Sequence, residues 1–426
     1  MTVDITGEAR PDDGAHAALP SRRVLAAWFG AFAVYAGAMI FTRHADGTWA
    51  AWGCAGYAVT ALLLLAPVGW SIPLAAAIGG ALIAPLLWLI TTFPATGEVV
   101  VIGQSASYLL KHGTPYLPPA LLTGWTSYNP YLPLMELFGL PRSAGLSGVL
   151  GDPRIWTTLT TVVLIAAAFS VVSPHRVRGC IHCRGRVAWC TAVAVASPLI
   201  AFPLAVGVTD PPIIALTCLV LAWAGRGKLV RAGLALGVAC AMKTTAWAVV
   251  PVLAVMAWVR YAPRAAARLT ATALAVTGIL ALLAAPAALA TPGAVKQNLI
   301  DYPMGTTKYK TVAASPLPGH LIAGLGPAGR LTVDVLLVLA VLGFVGWLVA
   351  RPPRDERDAA VRLAVGYAVM FTLDPSTRFG YFAYPLALVG WLALSRRAQG
   401  EEQDAATRRR PAPLRKLLPR REATVT

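Results

Sequence analysis

The chain has 426 residues, of which 57% are hydrophobic and only 13% are charged. Soluble domains carry about 25% charged residues, so this composition excludes an ordinary soluble globular protein. The formal net charge of +17 would suggest a nucleic-acid partner in a soluble protein. Here the basic residues lie between long apolar segments, so we expect a membrane protein without a nucleic-acid partner.

Apolar segments of about 17 to 23 residues recur along the chain and predict an all-α polytopic membrane protein with about 12 transmembrane helices, several short and paired as hairpins. The predicted helices lie at about 24–41, 49–67, 72–93, 155–173, 187–205, 211–224, 230–242, 245–259, 268–290, 331–350, 359–374 and 380–395. One transmembrane domain is expected over residues 22–395, with outer loops at about 94–154 and 291–330. The segments 1–21 and 396–426 are expected to be disordered and cytoplasmic.

Arginine and lysine residues are concentrated in alternate loops and in the C-terminal tail. Cytoplasmic loops carry the excess of these residues, so both termini are predicted to be cytoplasmic and the loops at 94–154 and 291–330 to lie outside the plasma membrane. The N-terminal residues lack a signal-peptide pattern, so the first helix is predicted to direct insertion. The basic tail is predicted to contact anionic lipid.

The first outer loop is the longest interruption between apolar segments. Apolar residues at helical spacing over 99–111 predict an amphipathic helix in the membrane interface. Glycine and proline then break the pattern. The aromatic residues that follow act either as interfacial anchors or as a platform for sugar or lipid; these residues are Trp125, Tyr128, Tyr131 and Phe138.

Lys243 lies in the middle of an apolar stretch, residues 230–259, that has basic residues at both ends. The stretch is too short for two full membrane spans, so it predicts a hairpin of short helices with Lys243 at its outer tip. A lysine in apolar surroundings either reaches the interface or contacts an anion.

Two acidic residues in predicted outer turns, Asp210 and Asp374, have either a structural role or a role in a functional site. Asp210 precedes two prolines, and either it or Thr209 is expected to cap the next helix. Asp374 and Arg378 either brace the turn between the last two helices or take part in a site.

The six cysteines show no exported disulfide framework. Cys180 and Cys183 form a CxxC pair near His175 and His182, which suits either a zinc site or a plain basic cytoplasmic loop. The zinc ligand spacing is irregular, so no metal ligand and no cofactor are assigned, and a divalent metal is not excluded.

Carboxylates are few in the predicted outer loops, and several bases accompany them. This combination suits transfer of a group from a lipid-linked phosphate, because a carboxylate can deprotonate an acceptor hydroxyl while the bases neutralise the leaving phosphate. A single base opposite the leaving group inverts the reacting carbon.

Several motifs resemble a known enzyme group. They are an acidic residue after an outward helix, SYLLKHGTPY (Ser107–Tyr116), YNPYLP (128–133), TDPP (209–212) and GLALGVACAMKTTAWAVVP (233–251). Together they are similar to the C-type (GT-C) integral-membrane glycosyltransferases, and specifically to glycosyltransferase family 87 of actinobacteria, the polyprenyl-phosphate-mannose-dependent mannosyltransferase-like group.

The resemblance implies a transferase that moves mannose or a related sugar from a polyprenyl-phosphate donor to an envelope glycolipid or polysaccharide. It implies an acid of the first large outer loop as general base, usually aspartate, and Glu98 is the nearest match. The candidate catalytic residues are Glu98 and Asp210. The candidate donor-phosphate contacts are Lys243, Arg378, Lys296 and Lys308. The candidate substrate contacts are His112, Tyr116, Tyr128, Asn129, Tyr131 and Tyr302.

Two other functions remain open at this level. A lipid or solute transporter (flippase) predicts ionisable residues at mid-membrane and repeated halves, and neither is visible in the sequence. A catalytically inactive family member predicts that Glu98 and Lys243 lie far apart. The transferase predicts that Glu98, Asp210, Lys243 and Arg378 converge.

Overall fold

The computed structural model describes residues 21–42, 45–93, 97–173 and 181–408. All regular secondary structure in these ranges is helical, as predicted. The helices of eight residues or more are α1 (Arg22–Met39), α2 (Ala45–Leu65), α3 (Ser71–Thr92), α4 (Gly97–His112), α5 (Pro153–Val172), α6 (Ile181–Ala196), α7 (Pro198–Val206), α8 (Asp210–Gly225), α9 (Leu229–Cys240), α10 (Val249–Arg260), α11 (Pro263–Ala284), α12 (Pro327–Ala350), α13 (Glu356–Leu373) and α14 (Ala383–Arg408).

Every predicted apolar segment coincides with a helix, but the count of about 12 membrane spans is not confirmed. By length and composition, five helices of the described chain can cross a membrane, and the bent pair α6–α7 would make a sixth. The protein is therefore a helical membrane protein. The remaining apolar helices are shorter: Asp210–Gly225, Leu229–Cys240, Thr244–Arg260 and Phe379–Ser395.

The predicted helix over 187–205 is broken, with a bend of 63° between α6 and α7. Ser197 at the break is extended (ψ 145°) because the ring of Pro198 disfavours a helical residue before it. Helices α2 and α3 pack closely at Gly56 and Gly80. A Cβ on Gly56 would lie only 2.7 Å from the Gly80 Cα, so this contact requires glycine.

Helix α8 is central to the fold. All of its residues except Trp223 and Gly225 are buried, and it packs against α5, α9, α13 and α14. Its apolar sequence allows burial on every side, and its first residue, Asp210, thereby lies at one end of the protein core.

The long loop between α3 and α5 contains α4, confirming a helix in the predicted amphipathic segment, and then short helical turns. The loop is joined to the hairpin tip by backbone hydrogen bonds, from Leu132 N–H to Met242 C=O (3.0 Å) and from Leu134 N–H to Ala241 C=O (3.1 Å). These bonds place the loop directly beside Lys243.

The C-terminal helix α14 continues to Arg408, beyond residue 395 where the transmembrane domain was predicted to end. The segment is rich in alanine, glutamine and glutamate, which favour helices. Three predictions fall outside the described residues: the rest of the C-terminal tail, the N-terminal segment before Ser21, and the alternative zinc site at the CxxC pair.

Candidate active site

Four charged residues predicted to converge are found together, each beside a break between helices. Glu98 is in the first turn of α4, and Asp210 is the first residue of α8. Lys243 precedes a 3₁₀ turn, Thr244–Ala248, and Arg378 precedes another, Phe379–Phe382. Each side chain therefore leaves the backbone where regular helix begins or ends.

Glu98 accepts hydrogen bonds on both carboxylate oxygens. The Arg378 guanidinium donates to Oε1 at 2.9 Å, and Thr209 donates to Oε2 through its N–H and its hydroxyl, each at 2.9 Å. The side chains of Glu98 and Arg378 are 13% and 32% exposed. The pair therefore lies at the accessible edge of the cluster.

Lys243 and Asp210 form the inner half of the cluster. The Lys243 ammonium lies 2.5 Å from Asp210 Oδ1 and donates to the Thr209 hydroxyl at 3.2 Å. Tyr384 also donates to Asp210 Oδ1, at 2.7 Å. The lysine and aspartate side chains are only 10% and 2% exposed. Thr209 thus connects the two ion pairs, since its hydroxyl accepts from Lys243 and donates to Glu98.

Tyrosine rings enclose the lysine. Its Nζ lies 5.4 Å from the ring centroid of Tyr131 and 5.8 Å from that of Tyr381, within the range of cation–π attraction. Burial, and next the nearby Glu98 carboxylate, raise the pKa of Tyr131. The phenol is therefore neutral and can only share its proton by hydrogen bonding.

The structure decides between the alternatives for Asp210 and Lys243. Thr209 occupies the N-cap position of α8 without a side-chain capping hydrogen bond, and the Asp210 carboxylate contacts Lys243 and Tyr384 instead. Lys243 is buried rather than extended to the surface. Its anion in this structure is Asp210.

The predicted alternative in which Asp374 pairs with Arg378 to brace the turn between the last two helices is wrong. Asp374 accepts from the Ser376 N–H at 2.8 Å, while Arg378 reaches Glu98, 280 residues away in the chain. Burial raises the pKa of Asp374 to about 6, an effect partly offset by the Ser376 hydrogen bond.

Asn129 belongs to a buried polar network that joins the loop between α3 and α5 to the segment between α11 and α12. Its side chain donates to Glu136 Oε1 (2.7 Å) and accepts from the Tyr131 N–H (3.0 Å), while its own N–H donates to Asn298 Oδ1 (2.7 Å). Among the described residues Glu136 Oε2 has no hydrogen-bond partner, and burial raises the pKa of this carboxyl well above its usual range. The network positions Tyr131 beside Lys243.

The other predicted substrate contacts are mostly internal. Tyr116 is buried and donates to the Tyr131 carbonyl (3.0 Å), and the rings of Tyr128 and Tyr302 stack at 4.5 Å. Tyr128, Tyr131 and Phe138 are buried in the protein, so their alternative role as interfacial anchors is wrong. Of these rings, that of Tyr131 lies beside Lys243 in the charged cluster.

Three predicted contacts lie elsewhere. Lys296 is exposed and bound to Asp301 at 2.7 Å, and the Lys308 ammonium lies 5.1 Å from the Tyr309 ring centroid. His112 is exposed, with its ring 4.2 Å from that of Tyr108. Their roles remain predictions.

Sequence reasoning missed Thr209, Tyr384, Glu136 and Asn298 as site residues. Thr209 could have been found, because it precedes Asp210 in the TDPP motif. Tyr384 lies six positions after Arg378 in the same aromatic turn. Asn298 carries no local signal, since its partner Asn129 is 169 positions away, whereas Glu136 lies only seven positions after its partner Asn129.

The chain is thus a helical membrane protein with two linked carboxylate–cation pairs at one end of its core. In the described residues, no group of three or more His, Cys, Asp or Glu side chains is arranged to hold a metal ion. The model of glycosyltransferase family 87 matches residues 129–375, more than half of the chain. The protein belongs to this family and is an enzyme that transfers sugars. No curated protein and no solved structure matches.

The matched range contains Asp210 and Lys243 but not Glu98 or Arg378. The structure nevertheless joins these four side chains through Thr209. The family assignment therefore covers the inner ion pair, and contacts of the folded chain add the outer one.

Proposed function

We propose that the protein moves a sugar, mannose or a related one, from a polyprenyl-phosphate donor to an envelope glycolipid or polysaccharide on the outer face of the cell membrane. Transfer proceeds with inversion, and Glu98 is the general base. The observation that carries this proposal is the contact between the Glu98–Arg378 pair and the buried Lys243–Asp210 pair through Thr209.

Glu98 suits the base because it is the more exposed of the two carboxylates. Its Oε2 accepts two hydrogen bonds from Thr209, whereas Oε1 accepts a single one among the described contacts. A carboxylate oxygen has two lone pairs, so Oε1 can receive a further proton. In the reaction Glu98 takes the acceptor hydroxyl proton, and the acceptor oxygen bonds to the anomeric carbon.

The bond from the anomeric carbon to the donor phosphate breaks in the same step, and polyprenyl phosphate leaves with the bonding electrons. Arg378 and Lys243 supply positive charge for this phosphate, which lowers the energy of the developing anion. Asp210 orients Lys243 in the resting protein. A phosphate is already a good leaving group, so this mechanism uses no separate general acid.

The test is transfer of labelled sugar from a polyprenyl-phosphate donor by Glu98→Gln in purified, reconstituted protein. The rate is expected to fall by about 10²- to 10⁴-fold, the usual contribution of a general base. Glu356→Gln is the matched control, because Glu356 is also ion-paired, with Arg260. It begins α13, about 27 Å by helical rise from the Arg378 end. Full transfer by folded Glu98→Gln would exclude Glu98 as base. A wild-type protein without transfer from any such donor would favour an inactive family member.

A further inference from the structure

Arg378 lies in an irregular segment, residues 374–379, between the end of α13 and the 3₁₀ turn Phe379–Phe382. Its backbone is extended (φ −131°, ψ 143°). The carbonyl before it and the N–H after it therefore make no helical hydrogen bond, and such groups need partners elsewhere in the fold. Those partners fix the point from which the Arg378 side chain leaves the backbone.

Ser315 supplies both partners from the segment between α11 and α12. Its N–H donates to the Thr377 C=O at 2.9 Å, and its hydroxyl accepts from the Phe379 N–H at 3.1 Å. The Ser315 carbonyl already accepts from the Leu317 N–H at 2.7 Å, so the hydroxyl does what the carbonyl of a neighbouring strand would do. The two bonds thus bind the residues on either side of Arg378.

Two further contacts join the same two segments. His320 Nδ1 donates to the Pro375 carbonyl at 2.9 Å. A carbonyl oxygen can only accept, so Nδ1 carries a proton. Gly319 packs against the backbone of Leu373 so closely that a Cβ would overlap the Leu373 carbonyl. Residues 315–320 therefore follow the chain from the end of α13 to the residue after the arginine.

A third element restrains the segment from the side of α13. The Thr377 hydroxyl, which is fully buried, donates to the Phe371 C=O at 2.7 Å. This bond holds the residue before Arg378, and the peptide after it is left to Ser315. Because a misplacement of about 1 Å can cost about 10²-fold in rate, the backbone on both sides of a functional arginine has to be held.

We propose that Ser315 is a positioning residue for Arg378, assisted by His320, because both hold the backbone from which the guanidinium reaches Glu98. The consequence for the donor phosphate rests on the proposed function, whereas the placement of Arg378 on Glu98 does not. In the described contacts, Ser315 and His320 bind the segment that carries Arg378 and not the charged side chains themselves. They act through Arg378.

The first experiment measures sugar transfer by Ser315→Ala in reconstituted protein. Loss of the hydroxyl is expected to raise the KM for donor about three- to tenfold, the equivalent of one hydrogen bond. Ser315→Thr keeps the hydroxyl and is expected to restore the wild-type KM. His320→Leu is expected to raise the KM for donor likewise, and His320→Asn, whose amide can still donate to the Pro375 carbonyl, to restore it.

Ser21→Ala is the matched control for the lost hydroxyl. The Ser21 hydroxyl also accepts from a backbone N–H, that of Val24 in the first turn of α1, so its loss is expected to leave the KM for donor unchanged. A Ser315→Ala protein with a lower melting temperature and an unchanged KM for donor would show that Ser315 serves the fold alone, and the proposal would be refuted.

The second experiment asks whether the effect passes through Arg378. Ser315→Ala/Arg378→Gln is expected to have the same KM for donor as Arg378→Gln, because no guanidinium remains to be positioned. A second rise in KM, as large as that caused by Ser315→Ala in the wild type, would overturn the proposal.

Unfolding of the same four proteins in denaturant tests the positioning without turnover. Ser315→Ala is expected to raise the equilibrium constant of unfolding at least about twofold less in the Arg378→Gln background than in the wild type, because no ion pair is left to weaken. Equal effects in the two backgrounds would overturn the positioning role. A wild-type protein without transfer activity would refute the proposed function and leave this result intact.

Discussion

The Lys243–Asp210 pair allows stability to be separated from catalysis. Lys243→Met removes the ammonium 2.5 Å from Asp210 and leaves a carboxylate with 2% exposure, held mainly by Tyr384. Breaking a buried pair by removing one partner costs about 3–5 kcal/mol. The single variant is therefore expected to be strongly destabilised.

The double variant Lys243→Met/Asp210→Asn removes both charges. Asparagine keeps an oxygen that accepts from Tyr384, and a buried pair can be replaced by neutral residues at little net cost. We expect the double variant to recover most of the lost stability, with a coupling energy of about 2 kcal/mol or more between the two positions.

The assay is denaturant-induced unfolding of wild type, both single variants and the double variant in one detergent, followed by sugar transfer. If Lys243 neutralises the donor phosphate, the double variant folds normally but transfers slowly and with a raised KM for donor. A double variant as unstable as Lys243→Met would contradict the coupling. A stable double variant with wild-type transfer would show that Lys243 serves the fold alone.

Three further predictions concern other contacts. Asp374→Asn keeps the acceptor for the Ser376 N–H and removes a carboxyl whose pKa is raised to about 6. Because the folded wild type holds this proton to higher pH than the unfolded chain does, its free energy of unfolding falls by up to about 3 kcal/mol as the pH rises from about 4 to 7. Unfolding measured across this pH range is expected to show the decrease in the wild type and not in the variant. Gly56→Val places a branched side chain against Gly80, where even a Cβ is too close, and lowers the melting temperature in detergent by several degrees; an unchanged melting temperature would contradict the close packing. Tyr384→Phe removes one hydrogen bond to the buried aspartate and costs about 1–3 kcal/mol in the same unfolding assay, whereas a neutral effect would show that the phenol does not satisfy that carboxylate.

The helical architecture could be predicted because bilayer-length apolar segments and proline breaks are local signals. The interruption of α6–α7 at Ser197 is also local, since Pro198 is visible in the sequence, although the predicted helix was continuous there. The number of spans could not be predicted. Short helices such as α9 and α10 are apolar enough to lie in a membrane but too short to cross it. How deeply they enter the bilayer depends on how they pack against the other helices.

The convergence of Glu98, Asp210, Lys243 and Arg378 was predictable from where charges interrupt apolar segments. Their pairing was not. Asp374 lies four residues from Arg378 in the chain. The Arg378 guanidinium nevertheless binds Glu98, 280 positions away, because the fold brings the start of α4 within hydrogen-bond distance of it. Likewise, the buried aromatic residues of the loop between α3 and α5 resemble interfacial anchors in composition, and only packing distinguishes the two roles.

Helix interruptions explain why a charged site exists in this apolar protein. Glu98 and Asp210 stand in the first turns of α4 and α8, where the unpaired N–H groups and the helix dipole favour negative charge. Those two carboxylates in turn compensate the burial of Lys243 and Arg378. Discontinuous helices in membrane proteins bring such ends together where a polar ligand is handled. The same breaks that make the hairpin helices too short to span a bilayer therefore supply the polar groups that the proposed transfer mechanism uses.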